Sequence, residues 1–353
     1  MKLSVIIPTA GNVERVIRTI KSFLKNDLKK FNIEIIITEN VCLEKKSKEL
    51  ENFFLKLPSE FKYILDERPG SSEARNRAVQ KCSGDLVAFI DDDVEISATW
   101  IETIFENFKY DKNLVFLGGP SIPRFTCSIP SWFWSMIYID KKHWECHYLS
   151  ILDFNKDQDN IDPKYIWGLN SVILKKYFIE LGGYNPDRHS YALSSRSILR
   201  WAGDGDMGLA NAIRKKKLKC VYRQKALVYH LCNEERLSFK YFQDRSYMQG
   251  IIDSYTSIRS TDEKYLFKFN FLKKIIILIN SSIKKVYLSF IFFNNSEVKN
   301  FKISLIQNYI NGWDFHQTEA KKSKDLLNWI KRKNYWDCDI RDEIKKLNNF
   351  EEF

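Results

Sequence analysis

Short apolar segments alternate with longer segments of helical spacing through the first 90 residues of this chain. Four segments of strand length are rich in β-branched residues: Leu3–Thr9, Ile33–Thr38, Phe61–Leu65 and Leu86–Ile90. Apolar residues recur every three or four positions in the segments between them: 13–24, 43–57 and 73–82. Strand–helix alternation with short connections predicts an α/β fold, in which a mostly parallel sheet carries helices on both faces.

Polar residues follow each of the four predicted strands. Thr9, Glu39 and Asp66 stand at or just after the ends of the first three, and Asp91–Asp93 follow the fourth. In open α/β sheets, ligands bind outside the carboxyl ends of the strands. We therefore predict that these polar residues meet at one edge of the sheet and form a binding site.

Three consecutive carboxylates, Asp91, Asp92 and Asp93, end the apolar segment Leu86–Ile90. They repel one another, and a divalent cation would remove that repulsion because hard oxygen ligands suit Mg²⁺ or Mn²⁺. A cation at a strand end is well placed to hold the phosphates of a nucleotide. The alternative interpretation is an acidic turn in solvent.

Length and composition limit the class of protein. The 353 residues and 44% hydrophobic content allow about two domains, or one large domain with an appendage. Seven cysteines without a Cys-x-x-Cys pair favour free thiols in a reducing compartment over a zinc ribbon or a disulfide framework. The N-terminus lacks secretory signal organisation, and no apolar run reaches the length of a transmembrane helix. We therefore predict a cytoplasmic protein.

The net charge of +11 is concentrated in one segment. Residues 264–302 contain eight Lys and a single acid, Glu297. No base-reading motif accompanies this charge, so we predict no nucleic-acid partner. Lys alternates here with apolar and aromatic residues, which is typical of helices at an anionic membrane surface. The alternative is that these helices pack on the rest of the protein and expose their Lys face.

The second half of the chain is less regular than the first. Residues 121–165 are rich in aromatic side chains and show no clear period, whereas Gly203–Asp206 precedes a segment of helical spacing. The pattern becomes helical and basic after about residue 235. We predict an α/β domain over residues 1–255 and a basic, mostly helical region over residues 256–353.

The motifs together resemble the inverting family 2 glycosyltransferases, which have the GT-A fold. The matching segments occur in the family's order and span roughly residues 3–232: Ser4–Thr9, Ile35–Asn40, Gly70–Arg77, Phe89–Val94, Gly168–Asn170, Gly182–Tyr184, Gly203–Asp206 and Val228–His230. The resemblance implies transfer of a sugar from a nucleotide-diphosphate donor, most commonly a UDP-sugar, to an acceptor hydroxyl with inversion. It also implies a Mn²⁺ or Mg²⁺ cofactor, which would neutralise the leaving diphosphate.

The resemblance assigns roles to residues along the predicted edge of the sheet. The nucleotide-sugar site would comprise Pro8, Thr9, Glu39, Asp66, Arg75, Asp91 and Asp92. Glu39 stands where the family usually has an Asp that touches the base or ribose, and it is one methylene longer. The metal ligands would be Asp93, Asp91 and His230; a lone His is otherwise most often structural. Arg236 and Arg245 could contact the diphosphate.

The acceptor's proton requires a base on the opposite side of the sugar from the cation. Asp206 is followed by Leu209, which is the family's spacing, so we assign Asp206 as the base and Asp204 as a supporting acid. Gly205 departs from the Glu that the family often has there. Helix capping is the alternative role for these acids. Trp167, Gly168 and Asn170 would bind the acceptor, although aromatic residues in this part of the chain could also form a small core.

We therefore predict a metal-dependent glycosyltransferase that acts on a saccharide or lipid-linked acceptor in surface polysaccharide or glycoconjugate synthesis. A sugar nucleotidyltransferase would need a Gly-rich, basic phosphate loop after the first strand, whereas Pro8–Asn12 has one Gly and no Lys. The other alternative is a non-catalytic membrane or nucleic-acid adaptor that retains the fold.

Overall fold

The computed structural model describes residues 1–40, 48–66, 70–139, 144–187, 199–262, 264, 266–339 and 342. Within these ranges there are thirteen strands: β1 Leu3–Thr9, β2 Ile33–Glu39, β3 Phe61–Leu65, β4 Leu86–Ile90, β5 Val94–Ile96, β6 Leu114–Gly118, β7 Ser121–Phe125, β8 Tyr138–Ile139, β9 Trp144–Cys146, β10 Ile151–Asp153, β11 Asn170–Leu174, β12 Lys219–Tyr222 and β13 Val228–Cys232.

The same ranges contain ten α-helices: α1 Val13–Leu24, α2 Lys48–Phe54, α3 Ser71–Lys81, α4 Trp100–Tyr110, α5 Lys175–Glu180, α6 Gly205–Lys215, α7 Phe239–Ser260, α8 Leu266–Ile291, α9 Ser296–Lys322 and α10 Lys324–Ile330. The predicted start of the second helix, residues 43–47, lies outside the described residues. The strand–helix order predicted for the first 90 residues is otherwise confirmed.

The main sheet has seven strands in the order β12-β6-β11-β4-β1-β2-β3. Strand β11 runs antiparallel to both of its neighbours, and the other pairings are parallel. Strands β1, β2 and β4 are buried along their whole length, because helices cover both faces of the sheet. The predicted α/β class with a mostly parallel sheet is therefore confirmed.

A second sheet lies in the part of the chain where the sequence shows no period. Its order is β5-β13-β7-β10-β9-β8, and its pairings are antiparallel except for β13 with β7. Several of these strands have only two or three residues, too few to establish a period in the sequence. The sheet matters for function because β5 continues directly from the acidic cluster and β13 pairs with β5.

The C-terminal region is helical, as predicted. Helix α7 packs along α9, with Gly250 and Gly312 at the crossing, where a Cβ on either residue would collide with the opposite backbone. The boundary predicted at residue 255 lies inside α7, and Tyr255 packs with Trp201 and Trp329 in one apolar cluster. Among the described residues, none of the helices has a segment long and apolar enough to cross a membrane.

Glu34 ties the amino ends of β1 and β2 together, at the opposite edge of the main sheet from the acidic cluster. It is 2% exposed and accepts hydrogen bonds from Ser4, Lys62 and Ser83. Burial opposes its ionisation, but the hydrogen bonds from Lys62, Ser4 and Ser83 outweigh burial and lower the pKa of Glu34 to about 2.

Replacing Glu34 with Gln should lower the free energy of unfolding by about 2 kcal/mol at neutral pH. Because the folded pKa lies below the ordinary 4.5, this stabilisation is present above pH 4.5 and is lost as the pH falls towards 2. Urea unfolding at several pH values measures the difference, which should shrink across that window. An equal difference at pH 3 and pH 7 would contradict the assigned cause.

Candidate active site

The polar residues that follow the first four predicted strands lie along one edge of the main sheet, as predicted. Strands β4, β1, β2 and β3 are neighbours, and Thr9 pairs with Glu39 where β1 and β2 end. The backbone N–H of Asp66 donates to the carbonyl of Glu39 at 2.8 Å, which continues the edge past β3. The polar residues that follow four separate strands are therefore aligned along one edge, as the alternation predicts.

Each acid of the Asp91–Asp93 cluster has a different partner. Asp91 forms an ion pair with Arg75, and Asp92 accepts a hydrogen bond from Thr9 Oγ1 at 2.7 Å. Asp93 forms an ion pair with Arg236. The expectation that a cation is needed to relieve mutual repulsion is therefore too simple, because protein groups already offset much of the charge. The alternative of a solvated acidic turn is wrong, since Asp93 is only 4% exposed.

His230 is positioned beside Asp93 by strand pairing. In the register of β13 with β5, His230 lies opposite Val94, and the N–H of Leu231 donates to the carbonyl of Asp93 at 3.0 Å. His230 Nε2 lies 3.4 Å from Asp93 Oδ1, and the imidazole is 3% exposed. The predicted association of these two residues is therefore observed, whereas Asp91 turns away towards Arg75.

The hydrogen bonds of His230 indicate its tautomer. Its Nδ1 lies 2.9 Å from the carbonyl oxygen of Leu149, which can only accept, so Nδ1 carries the proton. Its Nε2 lies 2.6 Å from Arg236 Nη1, which can only donate, so Nε2 offers a lone pair. A metal-binding His usually donates its other N–H to a carbonyl in this way.

Asp93 and His230 fit a divalent cation. A buried carboxylate oxygen and an imidazole lone pair face the same space, with the imidazole fixed from behind by Leu149. No group of three or more His, Cys, Asp or Glu side chains in the described part of the chain is arranged to hold a metal ion. Mn²⁺ and Mg²⁺ bound with a nucleotide need only one or two protein ligands, since phosphates and water supply the rest.

Positive charge surrounds Asp93. Besides Arg236, Arg15 of helix α1 reaches Asp93 Oδ2 at 4.0 Å. Burial disfavours the charged form of Asp93, but the surrounding groups, Arg236 and Arg15 among them, outweigh burial and hold its pKa well below the usual range. Burial and the charge on Asp93 raise the pKa of Asp92 to about 7. The cluster therefore carries less negative charge than three acids suggest, which suits it to receive a diphosphate.

Other residues predicted to contact the nucleotide are buried in the protein. Pro8 is buried within β1, and Glu39 is 0% exposed and accepts a hydrogen bond from Tyr63. Asp66 forms a buried ion pair with Arg77. These residues shape the edge of the sheet, and a nucleotide base would have to displace or extend their existing contacts.

Arg75 lies between the acidic cluster and the predicted base. It pairs with Asp91 and donates to Ser71 Oγ at 3.5 Å. Its positive charge also stabilises the ionised form of Asp206. The guanidinium is 8% exposed, so its interactions are little screened by water. Arg75 therefore connects the two halves of the site electrostatically.

Asp206 stands in the first turn of α6, and its Oδ2 accepts a hydrogen bond from the N–H of Gly168 at 2.8 Å. Burial raises the pKa of Asp206, opposed by the Gly168 hydrogen bond and by Arg75. A raised pKa makes this carboxylate a better proton acceptor.

Gly205, which departs from the family pattern, has a φ of +47°. This left-handed backbone suits Gly and disfavours Glu. Its Cα also approaches Asp187, whose Cβ would lie 3.3 Å from a Cβ on Gly205. The local backbone conformation therefore explains why Gly, and not Glu, stands at position 205. The change leaves Asp206 in the first turn of α6.

Asp204, predicted as a supporting acid, has both carboxylate oxygens engaged by hydrogen bonds within the protein. It is 4% exposed, and its two oxygens accept hydrogen bonds from Asn185 at 2.7 Å and Thr256 at 2.8 Å. Because Thr256 belongs to α7, Asp204 fastens the α/β domain to the C-terminal helices. Its role in this structure is architectural.

Replacing Asp204 with Ala should lower the free energy of unfolding by about 2–4 kcal/mol, because two buried donors lose their acceptor. Replacing Thr256 with Val should cost less, since Asn185 keeps its partner. Denaturant unfolding of both variants gives the two values. An unchanged stability with lost activity in the Asp204 variant would support the predicted catalytic role.

Asn170, predicted to bind the acceptor, makes three hydrogen bonds within the protein. It accepts from Trp100 Nε1 at 2.9 Å and donates to the carbonyls of Pro120 at 3.1 Å and Ala226 at 2.8 Å. Trp167, in contrast, is only partly buried and packs against His147, with ring centroids 5.4 Å apart. Trp167 and Gly168 therefore remain beside Asp206, and Asn170 fastens the strand behind them.

The sequence did not single out Arg15, Ser71 or Asp187 as site residues. Ser71 donates a hydrogen bond to Asp187, whose charge bears on Asp206. Asp187 follows the Gly182–Tyr184 motif by three residues, and Arg15 lies in the helix that directly follows β1. Each of these two residues therefore lies close to a recognised motif in the sequence, and that proximity is the signal that could have identified it.

Comparison with known proteins identifies the family. The model of the family described as glycosyl transferase family 2 matches residues 4–182, just over half of the chain. The chain is 24% identical over 263 residues to the glucosyl-dolichyl phosphate glucuronosyltransferase of Haloferax volcanii, covering 71% of this chain and 75% of that protein.

Two further similarities are shorter or weaker. The chain is 29% identical over 107 residues to the GalNAc(5)-diNAcBac-PP-undecaprenol beta-1,3-glucosyltransferase of Campylobacter jejuni, covering 30% of this chain and 34% of that protein. A crystal structure of GalNAc-T7 with UDP, GalNAc and Mn²⁺ superposes with a TM-score of 0.46 at 16% identity, covering 70% of this chain and 47% of that one. The family match, together with the fold, shows that the chain is a glycosyltransferase and belongs to glycosyl transferase family 2.

Proposed function

We propose that this glycosyltransferase moves a sugar from a UDP-sugar to a hydroxyl of a lipid-linked saccharide, with inversion and with a divalent cation. The observation that carries the proposal is the division of the site into two parts. Asp93, His230, Arg236 and Arg15 gather at the end of β4, whereas Asp206 is held separately by Gly168. Inverting transfer requires such a separation between the leaving group and the base.

The first part of the site suits the diphosphate. A cation held by Asp93 and His230 would neutralise the charge that develops on the leaving group. Of the two predicted cations, Mn²⁺ is favoured over Mg²⁺ by the imidazole, because Mg²⁺ prefers oxygen ligands. Arg236 donates to the same lone pair of His230, so its guanidinium and a cation would compete for that nitrogen. Arg15 and Arg236 add positive charge for binding the phosphates.

The second part suits the acceptor. Asp206 would take the proton of the attacking hydroxyl, and its raised pKa favours that transfer. Trp167 offers an aromatic face beside Gly168 for a sugar ring. Both relatives are named for acceptors that carry dolichyl phosphate or PP-undecaprenol, which supports a lipid-linked saccharide acceptor here. Surface polysaccharide or glycoconjugate synthesis is the process in which such acceptors are used.

The proposal is tested by incubating the full chain with a panel of UDP- and GDP-sugars, Mn²⁺ and a polyprenyl-phosphate-linked saccharide. We expect release of UDP that requires the acceptor, and a product whose anomeric configuration by NMR is opposite to that of the donor. Retention of configuration would overturn the inverting assignment. Release that only a GDP-sugar supports would overturn the choice of UDP.

A further inference from the structure

Helix α8 exposes its apolar side. Of 21 large hydrophobic side chains exposed in the described part of the chain, 13 lie between residues 269 and 293. Six of them recur at intervals of three or four residues and so share one face of the helix: Leu272, Ile276, Ile279, Ile283, Val286 and Phe290. At 1.5 Å per residue this row extends for about 27 Å. We refer to these six residues as the outer row.

The opposite side of α8 is attached to the protein. Leu266, Asn270 and Leu288 are at most 5% exposed, and Leu288 packs with Ile306 and Ile310 of α9. Lys273 Nζ donates to Ser257 Oγ at 2.9 Å, and Lys274 pairs with Asp314 at 2.9 Å. The helix therefore packs on the rest of the protein, as the alternative interpretation expected, but its exposed face is the apolar one. Lys273 and Lys274 help to hold α8 to the body, and apolar residues face outward.

In a surface helix the apolar stripe normally faces the core and the polar residues face solvent. Helix α8 has the opposite arrangement. Outer-row residues are between 51% and 79% exposed. Contiguous apolar patches of this size on a protein mark sites where another apolar surface binds. Because its inner side is tied to α7 and α9 along its length, α8 can offer only this outer face to a partner.

Charge indicates the kind of partner. Residues 264–302 carry eight Lys against one acid. Lys284 is exposed, and Lys274 keeps 41% of its side chain accessible. An apolar face on a strongly basic segment matches the interface of a bilayer that contains anionic lipids, where acyl chains meet the apolar row and phosphates meet the exposed lysines.

We infer that the outer row of α8 docks this glycosyltransferase onto the surface of an anionic membrane, with the helix lying in the plane of the interface. The inference rests on contacts outside the candidate active site and does not depend on the proposed function. It complements that function, because a lipid-linked acceptor is presented at the same surface.

The test is co-sedimentation of the full chain with vesicles of phosphatidylcholine alone or of equal parts phosphatidylcholine and phosphatidylglycerol. We expect binding to the anionic vesicles, and at least about a tenfold loss of partitioning in the triple variant Ile276→Gln, Ile279→Gln, Ile283→Gln. The matched control replaces three exposed apolar residues elsewhere: Leu24→Gln, Leu55→Gln and Ile179→Gln. The control should bind like the unmodified chain.

Several outcomes would overturn the inference. These are absence of vesicle binding, equal binding to neutral and anionic vesicles, or equal loss in the control and in the outer-row variant. Light scattering that shows a dimer, lost only in the outer-row variant, together with absence of vesicle binding, would assign the face to a second copy instead. All variants should melt like the unmodified chain, because the changed residues are exposed. Nucleotide binding, measured in the same preparations, reports separately on the active site.

Discussion

Replacing Asp206 with Asn should lower kcat for sugar transfer by about 10²–10⁴-fold, which is the range that a positioned general base contributes. Asn can still accept the hydrogen bond from Gly168, so the geometry persists while the proton acceptor is lost. Affinity for UDP should change little, because the diphosphate is expected at Asp93, not at Asp206. The measurement is initial-rate kinetics of acceptor-dependent UDP release, with nucleotide affinity determined in parallel.

Asp187 provides the matched control for this prediction. It is a second carboxylate whose charge bears on Asp206, and it accepts a hydrogen bond from Ser71. Asp187→Asn should retain most of the activity. Loss of activity in Asp187→Asn with near-normal turnover in Asp206→Asn would move the base to Asp187 and contradict the assignment.

Replacing Asp93 with Asn should weaken Mn²⁺-dependent binding of UDP by about 10²-fold, since losing a carboxylate ligand costs at least as much as losing an outer-shell contact. The change also removes the ion pair with Arg236. Isothermal titration with UDP, in Mn²⁺ and in EDTA, gives the affinities. In the variant, the two conditions should give nearly the same value.

The neighbouring acid is the control here. Asp92 bonds to Thr9 Oγ1, and its pKa is raised to about 7, so Asn resembles its protonated form closely. Asp92→Asn should therefore keep the dependence on Mn²⁺. If Asp92→Asn loses that dependence and Asp93→Asn keeps it, the ligand assignment within the cluster is reversed.

The sequence predicted the parts of the fold and site that depend on local pattern. Strand–helix alternation predicted the main sheet and the edge where Thr9, Glu39, Asp66 and Asp91 align, because parallel strands end on the same side. Helical spacing after Gly203–Asp206 predicted the helix whose first turn contains Asp206. Each of these features is encoded within a few consecutive residues.

Features that depend on distant partners could not be predicted. Asp204 and Asn170 stand in motifs, yet their roles depend on Thr256, Asn185 and Trp100, which bury and satisfy them. Asp93 is paired with Arg236, 143 positions away in sequence. The sequence also showed that Lys alternates with apolar residues in α8 without showing which side the protein covers. Burial and pairing of this kind exist only in three dimensions.

The most direct test of the account is a thermal-shift measurement of the unmodified chain with UDP, GDP, dTDP and CMP, each with Mn²⁺ and with EDTA. A ligand that binds only the folded state raises the melting temperature as its concentration exceeds its Kd. We predict stabilisation by UDP that requires Mn²⁺. Equal stabilisation in EDTA would contradict the metal site and leave Arg236 and Arg15 to neutralise the diphosphate, and absence of stabilisation by any nucleotide would contradict the proposed donor site altogether.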